Sequence, residues 1–250
     1  MSAFAFWNTY RLGGGSGEAK RIIIEGVLAQ IFDHHAAEFA LLCEVTGDVQ
    51  LGDAPVSRQL YAASRRHGQL AYSAFNDDLS AHDLERADIQ DFVDVFGQAP
   101  YKKGGGKFSK QSKRPVAYAG QFGNTNVFVY HSNASAKSAF LVAWVVESLN
   151  QEYQGDFVLA GDLNCSPLQF ATSMDLCTGV HNYHAHFGTP NGGHTHNAKN
   201  GLVSTYDWAV VGPNGPNGVT VTAVDFTGVI SQMGFTENPL SDHLPIVVSW

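Results

Sequence analysis

The stretch FVLAGDLNCSP, Phe157 to Pro167, constrains this chain more than any other. Its first four residues, Phe157-Val158-Leu159-Ala160, form an apolar run of the kind that makes a buried strand. Gly161 permits a tight exit from it. Asp162 and Asn164 follow, with one residue between them. In an extended backbone positions i and i+2 point the same way. A buried strand is therefore expected to end by presenting a carboxylate and a carboxamide side by side. The plainer alternative is a strand followed by an Asx-turn.

The rest of the chain supplies more polar residues in the same setting. Ala3 to Asn8 reads as a strand ending in Trp7-Asn8, and Gly13 to Gly17 as a break. Glu18 to Phe32 then has helical spacing through Ile22, Ile23, Val27, Leu28 and Ile31. Glu38 to Val45 is a second strand, its apolar run delivering Glu44 at the C-terminal edge. Gln69 to Phe75 is a third strand and Val93 to Phe96 a weak fourth, with an acidic loop or short helix over Asp77 to Asp91. Pro115 to Gly120 and Asn126 to His131 read as a hairpin turned at Gly123-Asn124, its second arm ending in His131. The best helix is Ser135 to Tyr153, with Phe140, Val142, Trp144, Val145 and Leu149 on its apolar side and Gly155 as its stop. A short helix is expected after Pro167.

Val180 to Gly201 reads as a loop with five histidines, His181, His184, His186, His194 and His196. His-x-His pairs can hold zinc, but no Cys or acid stands at a fixed spacing from these, so solvent-exposed or substrate-facing histidines are expected ahead of a dedicated metal site. Ser204 to Val211 is a strand carrying Asp207, Val219 to Phe226 another, and Ile246 to Trp250 closes the chain behind Asp242-His243. No repeat or long linker divides the sequence, so one domain over residues 1–250 is expected.

Composition bounds the partners. The 250 residues carry a formal charge of −8, which argues against a polyanionic substrate until the distribution is considered. Lys102 to Arg114, KKGGGKFSKQSKR, holds six of the 15 Lys and Arg residues and no acid. Such a segment reads as a solvated glycine-rich loop that can also follow a phosphate backbone. Cys43, Cys165 and Cys177 suggest no disulfide framework. No apolar run nears the ~20 residues a bilayer crossing needs. The start shows no ordinary signal peptide, which is compatible with a secreted protein or with an effector delivered by another route.

Asn8, Glu44, His131, Asp162, Asn164, Asp207, Asp242 and His243 thus gather at strand ends or in strands. Acid, amide and imidazole groups of this kind suit a hard divalent cation and an anionic substrate. In WN at Trp7-Asn8, LLCE ending at Glu44, GDLN at Gly161 to Asn164, STYDWAVVG around Asp207 and SDHLP at Ser241 to Pro245, the chain resembles the endonuclease/exonuclease/phosphatase family, whose familiar member is the pancreatic-type deoxyribonuclease. KRPVAYAG, and NVFVYHSNAS before a helix, look most like the catalytic subunit of the cytolethal distending toxins.

The resemblance implies an α/β (α+β) four-layer sandwich, two packed and mostly antiparallel β-sheets flanked by helices, with one site at an edge. It implies Mg²⁺, with Mn²⁺ as a substitute, on Glu44 with Asn8 and Asp242 close by. Asp162 and Asn164 would position the attacking water and the scissile phosphate, and Asp207 would hold His243 as a cation. His131 and Arg114, with Lys113 and Asn8, would contact phosphate. DNA is the implied substrate, and a delivery or immunity protein a possible partner of a toxin or antibacterial effector. Two features depart from the pattern. Tyr10 stands where the abasic-site nucleases carry an acid, and the glycine- and lysine-rich loop replaces a longer toxin segment before Arg114-Pro115. A phosphatase of phosphoinositides on the same scaffold is the alternative, and a non-catalytic binding module a third reading that the complete polar set disfavours.

Overall fold

The computed structural model describes residues 2–10, 17–45, 49–51, 60–66, 69–75, 81–82, 116–132, 134, 138–178, 184–187, 194–198, 201–232, 234 and 242–250. The basic segment with Lys113 and Arg114, the Val93 to Phe96 strand, and all of Asp77 to Asp91 except residues 81–82 lie outside the described residues.

Two six-stranded sheets form the centre. In the first, β1 (Ala3–Asn8) runs parallel to β2 (Phe39–Cys43), and the crossover between them is helix α1 (Gly17–His34). The hairpin β3 (Leu60–Arg66) and β4 (Gln69–Phe75) extends the sheet on one side. On the other side β14 (Ile246–Ser249) and β13 (Thr220–Ala223) extend it antiparallel. The second sheet repeats the core unit. Its β7 (Thr125–Tyr130) and β8 (Phe157–Asp162) are parallel and joined by helix α2 (Ser138–Glu152). Antiparallel neighbours complete it: β5 (Ala81–His82) and β6 (Val116–Phe122) on one side, β12 (Asp207–Val211) and β9 (His184–Phe187) on the other. A small hairpin, β10 (His196–Ala198) with β11 (Gly201–Ser204), lies apart from both sheets.

The alternation of side chains decides the layers. Val127, Val129, Val158, Ala160, Ala209 and Val211 join the core shared with the first sheet. Their neighbours Phe128, Phe157, Leu159, Trp208 and Val210 pack instead on α2 and on α3 (Pro167–Thr178). The ring of Phe4 stacks on Phe39, and Phe39 stacks on Phe122 of the opposite sheet. Phe4, Phe6 and Asn8 therefore face inward, while Trp7 faces Phe226, just before helix α4 (Thr227–Gln232), which lies beside α1. The result is the expected four-layer sandwich, helix on sheet on sheet on helix.

Several local expectations change. On α1 the buried stripe is Ile23, Ile24, Val27, Leu28, Ile31 and Phe32, and Ile22 is 38% exposed, because a stripe built on residues 24, 27, 28 and 31 leaves position 22 off its axis. The region from Val180 to Gly201 is more than a loop. His184 to Phe187 pairs with the edge of β12, and His196 to Ala198 turns back on β11, so strand pairing overrides polar composition. The strand expected over Ser204 to Val211 breaks at residues 205–206, where the Tyr206 and Asp207 N–H groups donate to Thr195 Oγ1 at 3.1 and 2.9 Å. Strand β5 lies within Asp77 to Asp91, where a loop or short helix is expected, and strand β3 and helix α4 carry no clear pattern in the sequence.

Gly161 is required sterically. A Cβ there would stand 1.9 Å from the Tyr130 carbonyl oxygen, on the neighbouring central strand, where no rotamer change can relieve it. Gly161→Ala should lower stability by at least about 2 kcal/mol, in the range of overpacked cores. Gly218→Ala, at φ +71° in open space, should cost only about 1 kcal/mol. Denaturant midpoints of the two variants check the difference.

Candidate active site

Four central strands end at one edge of the sandwich. Asn8 closes β1, Glu44 follows β2, His131 follows β7, and Asp162 closes β8. Two antiparallel strands begin there: Asp207 opens β12, directly opposite Asp162, and Asp242-His243 precede β14. Asn8, His131, Asp162 and Asp207 extend the inward-facing rows of Phe6, Val129, Ala160 and Ala209 by one step beyond the hydrophobic core.

Asp162 is the centre of the cluster. Its Oδ2 accepts a hydrogen bond from Asn8 Nδ2 at 2.9 Å, and its Oδ1 accepts one from the Asn164 N–H at 3.1 Å. His131 Nε2 lies 3.4 Å from Oδ2, and His243 Nε2 lies 3.6 Å from the same oxygen. Burial, with the Asp207 carboxylate next, raises the Asp162 carboxyl to about 6, against the pull of His243, the Asn8 amide and the Asn164 N–H. It sits close to the range in which a carboxylate takes a proton efficiently near neutral pH.

His243 is fixed on every side. Its Nδ1 is 2.7 Å from Asp207 Oδ2, and Trp7 Nε1–H donates to its carbonyl oxygen at 3.1 Å. The following N–H, of Leu244, donates to the Thr195 carbonyl at 2.8 Å. Burial pushes the imidazole pKa down, but the Asp207 charge and hydrogen bond, then Asp162 and Asp242, outweigh it and raise it to about 9. Nδ1–H is held by Asp207, so Nε2 is the atom turned toward the site. Asp207 itself is fully buried, and burial pushes its carboxyl up while the imidazole pulls it down.

The other candidates fall around this pair. Glu44 adopts φ +55°, and its Oε1 stands 3.6 Å from His131 Nε2. A non-glycine residue in that region carries roughly 1–3 kcal/mol of strain, which the surroundings of Glu44 must hold in place. Asn164 differs from the extended pair expected from its spacing. At φ +49° it completes an Asx-turn on Asp162, and its Nδ2 donates to the Ser132 carbonyl at 2.9 Å. The amide braces the turn against the neighbouring strand end, and the Asx-turn alternative is the one the backbone adopts. Asn8 Oδ1 accepts the Tyr10 N–H at 2.9 Å, so both ends of that amide are engaged.

The donors fit a cation. Asp242 Oδ1 is buried, makes no hydrogen bond among the described residues and lies 3.9 Å from His243 Nε2. A buried carboxylate oxygen without a donor is costly unless a positive charge stands near it. Among the described residues, two clusters of ligand-type atoms each fall within 4.8 Å: Asp162, Asp207 and His243, and His196, Asp242 and His243. Glu44 belongs to neither and joins the site through His131.

Thr195 carries no signal in the sequence, and His196, expected to face solvent or substrate, stands against His243 instead. Thr195 hooks the start of β12 to the hairpin, and the His196 ring stands edge-on to His243 with centroids 4.7 Å apart. His-x-His spacing drew attention to the segment, but nothing local pointed to a partner 47 residues further on.

No family model matches the chain. No curated protein matches it in sequence. Solved structures do match its fold. CdtB, the biologically active subunit of cytolethal distending toxin, is 17% identical, with 99% of this chain and 97% of that chain covered and a TM-score of 0.53. The cytolethal distending toxin from Actinobacillus actinomycetemcomitans matches at 17% identity, over 98% and 97% of the two chains, with a TM-score of 0.53. Truncated TDP2 from Caenorhabditis elegans matches at 15% identity, over 99% and 96%, with a TM-score of 0.50. The architecture is the endonuclease/exonuclease/phosphatase fold, a scaffold of two mostly antiparallel sheets between helices.

The His243 proton tests the electrostatics directly. Its folded-state pKa is raised, to about 9, so the ion pair stabilises the fold fully below pH 6.5 and its contribution fades as pH rises through 9. Asp207→Asn removes the main upward pull and leaves burial acting downward. In chelator-treated protein followed by histidine NMR, the variant's His243 should titrate lower by about one unit or more. An unmoved titration would mean that Asp207 does not set the charge state.

Proposed function

We propose that residues 1–250 form one catalytic domain, a metal-dependent phosphodiesterase that cleaves DNA as an endonuclease, acting as a genotoxin or antibacterial effector. The observation that carries this reading is the facing pair of Asp162 and His243, 3.6 Å apart at a buried edge, one carboxylate and one imidazole held by Asp207. A carboxylate that ionises near neutrality beside an imidazole that stays cationic is suited to phosphoryl transfer.

In this reading Asp162 orients a water and takes its proton. The water oxygen bonds to phosphorus in line with the departing oxygen, which leaves with the electron pair of the broken P–O bond. His243 Nε2–H donates to a phosphoryl oxygen whose charge grows in the transition state. His131 supplies a second donor near Asp162, and Asn8 and Asn164 hold the carboxylate in position. Glu44 and Asp242, with Asn8 beside them, would hold Mg²⁺ or Mn²⁺, which when bound offsets phosphoryl charge as a Lewis acid. Arg114 and Lys113 would add phosphate contacts.

DNA as the substrate is supported by the charge pattern. Without the six basic residues of Lys102 to Arg114, nine remain against 23 acidic ones, and the remainder would repel a polyanion. The segment would supply ground-state attraction through phosphate neutralisation. The similarity in fold to the biologically active subunit of a toxin fits an effector role.

His243→Ala, Asp162→Ala and Asp242→Ala should each abolish nicking of supercoiled plasmid in Mg²⁺, and chelator should do the same to the unaltered protein. A His243→Ala rate within about threefold of the parent, ~0.65 kcal/mol, would exclude the proposed site. A phosphoinositide panel run in parallel decides the substrate: release of phosphate with plasmid left intact would establish the phosphatase instead.

The basic segment has its own signature. Replacing Lys102, Lys103, Lys107 and Lys110 by Ser should raise KM for DNA and flatten its salt dependence, with kcat much less changed. Arg114→Ala should lower kcat. Cleavage rates measured across a salt series distinguish the two, and an unchanged salt slope in the fourfold variant would remove the segment from DNA binding.

A further inference from the structure

In the proposed reaction His243 acts through Nε2, and His196 beside it takes no part. His196 bridges His243 through backbone pairing, and a ring nitrogen of His196, a nitrogen of His243 and a carboxylate oxygen of Asp242 lie within 4.8 Å of one another. We propose that these three residues form an inhibitory site for a transition-metal ion of the zinc class.

Three observations support such an ion, the first two of them over Mg²⁺ in particular. First, two of the three ligands are imidazoles, which suit Zn²⁺ and Co²⁺, whereas Mg²⁺ takes oxygen. Second, Asp207 holds His243 at Nδ1, 2.7 Å away, leaving Nε2 as the coordinating atom. A carboxylate on the far nitrogen is the arrangement that orients metal-binding histidines elsewhere. Third, all three ligand atoms lie within 4.8 Å of one another, and one pair stands near the spacing coordination needs. Zinc bonds of about 2.0–2.1 Å put tetrahedral ligand atoms about 3.3 Å apart. His243 Nε2 and Asp242 Oδ1 already stand at 3.9 Å, and Asp242 Oδ1 is buried without a hydrogen bond among the described residues. Three protein ligands leave the fourth tetrahedral position to water.

Binding has a definite chemical consequence. The Nε2 proton passes to solvent, the Nε2 lone pair forms the metal bond, and Nδ1–H stays on Asp207. The donor that His243 offers to phosphate in the proposed reaction is thereby lost. Asp242 also belongs to the proposed Mg²⁺ set, so the two metals compete for it. The inhibition rests on the proposed phosphodiesterase reading, but metal binding does not.

The test separates ligation from packing. His196→Phe retains a ring against His243 and removes both nitrogens. In metal-stripped protein, Co²⁺ should bind with a visible absorption that Zn²⁺ abolishes, and His196→Phe should weaken that binding at least tenfold. Histidine NMR of the unaltered protein gives a second readout: Zn²⁺ should move the His196 and His243 resonances and leave those of His34 and His35, at the end of α1, in place. With Mg²⁺ and plasmid, Zn²⁺ should inhibit the parent, and His196→Phe should require at least tenfold more. Equal Co²⁺ affinity in the two proteins, or unmoved His196 and His243 resonances, would overturn the site. If plasmid is never cut but the Co²⁺ signal depends on His196, the metal site stands and the nuclease reading fails.

Discussion

One imidazole set between two buried carboxylates governs this site. Asp162 and Asp207 lie opposite each other on neighbouring strands, both out of water, with His243 reaching both. Two like charges so placed repel, and low dielectric makes the repulsion larger. A proton on His243 offsets one of them, and the Asn8 amide with the Asn164 N–H offsets part of the other. Removing one member of a buried pair typically costs 3–5 kcal/mol, because a charge is left unmatched. Asp242 and Glu44 add further negative charge nearby. Among the described residues the site is thus short of positive charge, which a bound cation would offset.

The fold makes that concentration possible through its two parallel pairs. Each pair needs a crossover helix, so β1 and β2, like β7 and β8, point their C-terminal ends in one direction. Packed face to face, the pairs deliver Asn8 and Glu44 from one sheet and His131 and Asp162 from the other to the same edge. Inside the sandwich the same rows hold Phe6, Val129 and Ala160. One further step along each row leaves the apolar layer, so the polar groups are buried by their neighbours without being buried in hydrocarbon. The antiparallel strands β12 and β14 start where these end, which brings Asp207 and His243 to the same place.

This logic was readable wherever it is local. An apolar run that ends in an acid, amide or imidazole marks a strand end, and that pattern located Asn8, Glu44, His131 and Asp162. The long amphipathic helices were readable for the same reason. What is decided by pairing across the chain was not. The polar segment from His184 to Phe187 becomes a strand because the edge of β12 is open to it, not because of its composition. The break at residues 205–206 depends on a hydroxyl at Thr195, which is invisible in the strand's own sequence. Asn164 illustrates a subtler failure. Its spacing from Asp162 predicts a shared direction only if the backbone stays extended, and the left-handed turn at Asn164 removes that premise.

The placement of His243 shows what such distant contacts contribute. Its carbonyl is held by Trp7 from the first sheet, its ring by Asp207 from the second, and the next residue by Thr195 from the small hairpin. Each contact comes from a different structural unit, so the imidazole cannot shift without loosening at least one of them. A group expected to meet a reacting phosphate must keep its geometry within a fraction of an ångström, and positioning of that kind accounts for a large part of catalytic rate. Trp7 serves both ends of this arrangement. Its ring packs on Phe226 beneath the outer helices, while its N–H fixes the backbone of His243. The hydrophobic layer that stabilises the first sheet and the geometry of the site are therefore coupled through a single indole.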